Sequence, residues 1–129
     1  MVLVDSSVWV DYFNGQPTRE TDLLDGLLGT EPVAVGDLIL VEVLQGFRRN
    51  RDFQVARDLL AALPIFELLD RKRAVRVAEN YRALRRRGIT VRKTTDAVIA
   101  SFCIAESLPL LYSDRDFDPF VEHLGLKRG

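Results

Sequence analysis

An α/β fold on a parallel sheet is what this sequence predicts, and three observations predict it. Short continuous apolar runs, such as Val2-Leu3-Val4, Val33-Ala34-Val35 and Leu110-Leu111-Tyr112, read as strands buried on both faces. Longer stretches between them carry apolar residues at helical spacing. Strand and helix alternate along the whole chain, which is the pattern of a parallel sheet covered on both faces. With 129 residues, 47% of them hydrophobic and 29% charged, the expectation is one domain spanning 1–129.

Taken in order, Val2-Leu3-Val4 is a strand that ends at Asp5. Ser6 or Ser7 is suited to cap a helix carrying Val8, Trp9, Tyr12 and Phe13, which Gly15 and Pro17 close. Residues 19–28 form a second helix, with Leu23, Leu24, Leu27 and Leu28 on one side. The second strand is Pro32–Val35, and Asp37 is the natural cap of a helix over about 38–48. A further helix near 52–63 repeats Val55, Leu59, Leu60 and Leu63. Ile65–Leu69 reads as the third strand. Residues 71–87 make a long amphipathic helix with Ala74, Val77/Ala78, Tyr81 and Leu84 inward, ended by Gly88. Thr94 or Thr95 caps the next helix, to about Ser107. Leu110–Tyr112 is the fourth strand, and a short helix near 117–123 and a strand near 124–127 complete the chain.

Composition narrows the chemistry. Cys103 is the only cysteine and His123 the only histidine, so an intrachain disulfide or a Cys/His zinc site is excluded. No apolar run reaches the roughly 20 residues that span a bilayer. The segment Met1–Asp5 lacks the basic start of a signal peptide, which makes the cytoplasm the expected compartment. A net charge of −1 conceals segregation, because residues 1–47 hold a single basic side chain, Arg19, while the runs Arg48-Arg49-Asn50-Arg51, Arg71-Lys72-Arg73 and Arg85-Arg86-Arg87 make the middle strongly basic. A basic middle flanked by acidic ends suits a protein that needs a cationic surface and an anionic pocket in different places.

Most acids sit on polar helix faces, but a few do not. Asp5 ends a buried strand. Glu42 interrupts the apolar helix Leu38–Leu44, where an uncompensated charge costs several kcal/mol (about). Asp96 lies in a first helical turn in line with Ile99, Ala100 and Cys103, a place where the helix dipole favours a carboxylate. Asp114 and Asp116 follow the fourth strand, and residues i and i+2 of an extended chain face the same way. In a parallel sheet, ligands bind beyond the carboxyl ends of the strands, where the strand order reverses. Carboxylates gathered there repel one another unless a cation joins them. Oxygen-only ligation suits Mg²⁺ or Mn²⁺, one or two ions, which can activate water and neutralise charge developing on a phosphodiester. With no histidine at hand, the usual base to activate a protein nucleophile is missing.

These motifs resemble those of VapC-type PIN domains. Leu3-Val4-Asp5-Ser6-Ser7-Val8-Trp9 is similar to the family's opening strand and helix, and Leu40-Val41-Glu42-Val43-Leu44-Gln45-Gly46 to its second motif. Thr95-Asp96-Ala97-Val98-Ile99-Ala100 matches the third, and Tyr112-Ser113-Asp114-Arg115-Asp116-Phe117 the fourth. The resemblance implies a three-layer α/β/α sandwich with sheet order 3-2-1-4-5, and Mg²⁺- or Mn²⁺-dependent hydrolysis of RNA. It implies an acidic core of Asp5, Glu42, Asp96 and Asp114, with Asp116 as an auxiliary ligand and Ser6, Ser7 and Ser113 positioning waters or phosphate oxygens. It also implies a VapB-type antitoxin partner and a homodimer. Trp9, Tyr12 and Phe13 are more large aromatics than one short helix is expected to bury, which makes them candidates for the antitoxin surface, with a basic side chain of the antitoxin entering the acidic pocket. Arg85, Arg86 and Arg87 are the candidates for binding the RNA backbone.

Two other classes fit less well. A haloacid-dehalogenase-like phosphatase needs a second aspartate two residues after Asp5, where Ser7 stands. A receiver-like domain needs a lysine at the end of a late strand, which Tyr112 and its neighbours do not supply.

Overall fold

Burial on both faces shapes the central strand. Leu3 and Val4 are wholly inaccessible in β1 (Val2–Val4), which a strand achieves only between two neighbours and under two layers. In the computed structural model, which describes residues 1–129, β1 pairs in parallel with β2 (Val33–Gly36) on one side and with β4 (Leu110–Leu111) on the other. β2 pairs in parallel with β3 (Ile65–Phe66), so the order is β3-β2-β1-β4. The expected fifth strand is reduced to a bridge from Leu110 to Arg128, with Leu110 N donating to Lys127 O at 2.9 Å. The last helix runs on to Leu124 and Gly125 closes it at φ +81°, so the start of the expected strand is taken up by the helix end.

The helices are α1 (Ser6–Phe13), α2 (Arg19–Leu27), α3 (Asp37–Leu44), α4 (Asn50–Ala61), α5 (Arg71–Arg86), α6 (Thr94–Glu106) and α7 (Asp118–Leu124), the last preceded by a 3₁₀ turn over Arg115–Phe117. α1 packs on α2 and α3, while α5 packs on α6 and α7. Crossovers β1–β2 and β2–β3 run one way along the sheet and β3–β4 runs back, so right-handed connections place the two groups on opposite faces. The sheet lies between them, with Leu3, Ala34, Ile99, Leu110 and Phe117 in one continuous apolar cluster. No helix is long and apolar enough to cross a membrane.

Five local expectations are corrected. Asp5, not Ser6 or Ser7, caps α1, its side chain accepting from Ser7 N. Asp37 is the first residue of α3 and not its cap: its Oδ1 accepts from Leu38 N at 2.8 Å and from Leu68 N at 3.2 Å. That second bond ends the third strand early, because Leu68 N serves the Asp37 carboxylate and its side chain tucks against Gly36, where any Cβ would meet Leu68 within 2.9 Å. α6 is capped by neither threonine, and Lys93 stands at its cap position. The inner stripe of α5 is Val77, Asn80 and Leu84, while Ala74 and Ala78 face outward.

Candidate metal centre

Sheet order determines where the acids meet. β1 and β4 are neighbours although β2 is the next strand in sequence, so the switch point lies at their carboxyl ends. Asp5 leaves β1 there, its N–H donating to Leu111 O at 2.9 Å and so extending the β1–β4 ladder by one bond. Asp114 lies three residues beyond β4, and its Oδ1 accepts from Asp116 N at 2.9 Å, which caps the 3₁₀ turn. Asp96 is brought in by the first turn of α6, and Glu42 by the middle of α3. Carboxylate oxygens of Asp96, Asp114 and Asp116 lie within 4.8 Å of one another. The charges of Asp5, Asp114 and Glu42 all act on Asp96, and that of Asp5 on Glu42, so the five acids form one electrostatic unit.

Hydroxyl groups hold one side of this unit. Ser7 donates to Asp5 Oδ2 through both its Oγ, at 2.6 Å, and its N–H, at 3.1 Å. Ser6 Oγ donates to Glu42 Oε1 at 3.2 Å. The serines therefore orient carboxylates. Ser113, half-buried after β4, makes no side-chain hydrogen bond. Asp5 and Asp96 are 3% and 5% exposed, and each keeps one buried oxygen, Oδ1 of Asp5 and Oδ2 of Asp96, with no hydrogen-bond partner. A buried carboxylate oxygen without a donor costs free energy unless a proton or a cation serves it.

The protonation states carry the same strain. Burial, then the Asp5 charge, pushes the Asp96 carboxyl up to about 7. Burial also raises Asp5, against the lowering hydrogen bonds from Ser7, and raises Glu42 with help from the Asp5 charge. An all-oxygen cluster that resists its own ionisation is a fitting seat for a hard divalent cation.

One charged side chain at the cluster was missed by sequence reasoning, which noted only that no histidine was at hand. Lys93 Nζ stands 3.9 Å from Asp114 Oδ2, and its charge lowers the carboxyls of Asp96 and Glu42. Its sequence signal was its place three residues before Asp96, the cap of the same helix turn. The aromatic expectation is partly overturned. Trp9 is wholly buried, stacked on Phe13 with centroids 5.8 Å apart and edge-on to Tyr12, so it is core and not a contact surface. The reason is that α2 and α3 both pack on α1, covering more of its circumference than a single sheet face would. Tyr12 and Phe13 are half-buried at the margin of that cluster. Arg85, Arg86 and Arg87 are exposed at the end of α5, with Arg85 over the Tyr81 ring, where they complement the helix dipole.

Comparison with known proteins agrees with this geometry. Residues 2–121 match the PIN domain family. The chain is 32% identical over 120 residues to ribonuclease VapC11 of Mycobacterium tuberculosis, covering 92% of this chain and 90% of that protein. It is 27% identical over 128 residues to ribonuclease VapC1 of Methanocaldococcus jannaschii, covering 98% and 85% of the two. Among solved structures, a chain in the Rickettsia felis VapBC2 complex bound to promoter DNA superposes with a TM-score of 0.79 at 22% identity, covering 100% of this chain and 98% of that one. Fold, motif order and relatives place this chain in the PIN-domain family, within its VapC group.

Proposed function

We propose that this chain is a divalent-metal-dependent endoribonuclease, the toxin of a type II toxin–antitoxin pair acting in the cytoplasm as a single PIN domain. The observation that carries the reading is the convergence of Asp5, Glu42, Asp96 and Asp114, from four separate elements, with two buried oxygens that no protein donor serves. Relatives named as VapC ribonucleases support the choice of RNA as substrate.

Asp5, Asp96, Asp114 and Glu42 would hold Mg²⁺ or Mn²⁺, with Asp116 as the auxiliary ligand. When bound, the ion supplies Lewis acidity toward water and toward a phosphodiester oxygen. The protein's own groups do the positioning. Ser7 holds Asp5 by Oδ2, which leaves the buried Oδ1 without a protein donor. Ser6 restrains Glu42 on the neighbouring helix, and Ser113 offers an uncommitted hydroxyl at the rim. Lys93 sits beside Asp114 with its side chain 60% exposed, free to meet an incoming phosphate. The Arg85-Arg86-Arg87 run supplies longer-range attraction for the RNA backbone.

Solved relatives are described as VapBC and toxin–antitoxin complexes, which supports a VapB-type antitoxin as partner here, and a homodimeric toxin is the assembly that the family resemblance implies. The half-buried Tyr12 and Phe13 remain candidates for the antitoxin surface, and an antitoxin arginine in the acidic pocket would compete with the metal. The deciding experiment is cleavage of total RNA with chelator, then with Mg²⁺ or Mn²⁺ restored. Loss and recovery are expected; undiminished cleavage in excess chelator rules the mechanism out.

A further inference from the structure

A small cleft of about 90 Å³ opens between the loop joining α5 to α6 and the segment from the 3₁₀ turn into α7. Asp116 belongs both to its wall and to the acidic trio with Asp96 and Asp114, so the cleft starts where the metal centre ends. Its two cations are Arg92 and Arg115, from facing segments, and its floor is apolar, with Ile89, Val91 and Phe120. Four arginines elsewhere, Arg19, Arg57, Arg73 and Arg76, pair with carboxylates. Arg92 and Arg115, like the remaining arginines, pair with none, although Arg115 stands between two acids of the centre in sequence.

The backbone explains this. Lys93 is extended, at φ −125° and ψ 126°, so its neighbour Arg92 projects to the opposite side. Lys93 goes to Asp114 and Arg92 to the cleft. Two exposed arginines from different segments line one cleft beside a site that would be neutralised by metal. Such a fork matches phosphate oxygens better than it matches any other group in RNA.

We infer that the Arg92–Arg115 cleft is a phosphate subsite, holding the phosphodiester next to the scissile one and setting which stretch of RNA lies over the metal centre. The inference rests on the ribonuclease reading and deepens it. The subsite would read the backbone and not the base, so it fixes the position of a single strand rather than its sequence.

The test uses the full-length protein and oligoribonucleotides around one cleaved bond, each with a single uncharged methylphosphonate linkage at a different position. For the wild type, one linkage adjacent to the cleaved bond should raise KM well above the rest. In the variant carrying Arg92→Gln and Arg115→Gln, KM for the natural RNA should rise several-fold with kcat nearly kept, and that linkage should no longer matter. The salt slope of RNA binding should flatten by about one unit per arginine. Arg57→Gln, on α4 and paired with Asp58, is the control that should change none of these. If the wild type cleaves with metal but both proteins respond alike to every uncharged linkage, the subsite is wrong while the ribonuclease reading stands. If the wild type does not cleave with metal, the ribonuclease reading itself falls and the subsite with it.

Discussion

Two polar side chains on α6 are buried to the same degree and treated in opposite ways. Ser101 is 4% exposed, and its hydroxyl accepts from Asn80 Nδ2 on α5 at 2.9 Å. Asp96, just over one turn earlier on the same helix, is 5% exposed, keeps Oδ2 unserved, and is surrounded by other acids. The first pair is a polar contact that fixes one helix on another, each group satisfying its partner. The second is polar burial left unfinished. A fold that can satisfy Ser101 could have satisfied Asp96, so the missing partner points to something from outside the chain.

The comparison is sharpest in Asp96→Asn. RNA cleavage should fall by about 100-fold or more, since even the outer partners of metal ligands are commonly worth about 10–100-fold. The metal-free variant should nonetheless melt no lower than the wild type, and at pH 8 about 3 °C or more higher. The sign follows from the carboxyl standing at about 7 when folded, against an ordinary 3.8. The folded state holds that proton more tightly than the unfolded chain. Its stabilising effect is therefore complete below about pH 4 and is lost as pH rises through 7. The advantage of the variant should accordingly grow over that window and shrink toward pH 4. Mn²⁺ should raise the melting temperature of the wild type far more than that of the variant. A variant that melts well below the wild type without metal would make Asp96 a structural residue like Ser101.

Ser7→Ala tests whether the hydroxyl side of the centre is preparation for metal. Losing the 2.6 Å bond frees Asp5 to rotate, and Mn²⁺ affinity and activity should drop by about 10–100-fold. Titration of Mn²⁺ binding by calorimetry checks it; unchanged affinity would reduce Ser7 to a helix-cap partner. Asn80→Ala should do the reverse of Asp96→Asn. It strands the Ser101 hydroxyl and should cost about 1–3 kcal/mol in a denaturant melt, leaving metal affinity and kcat alone. The smallest effect expected is from replacing Arg85, Arg86 and Arg87 with glutamine, a few-fold weaker RNA binding with a flatter salt dependence. An unchanged slope would leave that run as a solvated helix end.

The parallel sheet and its order of elements were legible because an apolar run of three or four residues between helices has few other uses. Asp5, Glu42 and Asp96 stood out for one reason: each is a charge set at the end of an apolar strand or within an apolar helical stretch. What misled was the solvent exposure of α1. Three aromatics on an eight-residue helix seemed too many to bury, yet Trp9 is inaccessible, because α2 and α3 close around it. The capping residues were misread too, since Ser6 and Ser7 are plausible caps in isolation and only the Asp5 geometry decides otherwise.

By itself, then, the sequence determined the layers, the alternation of elements and the identity of the acids, because periodicity and local burial follow from which residues are apolar. Tertiary structure alone decided what those acids touch. Lys93 is an ordinary loop lysine until the crossover from β3 to β4 brings α6 to the end of β1, and then it stands 3.9 Å from Asp114. Arg92 and Arg115 lie more than twenty residues apart and share a cleft only because their two segments meet there. Long-range proximity depends on how the crossovers close over the sheet, and no local pattern of residues encodes the distance between two side chains that the closure creates.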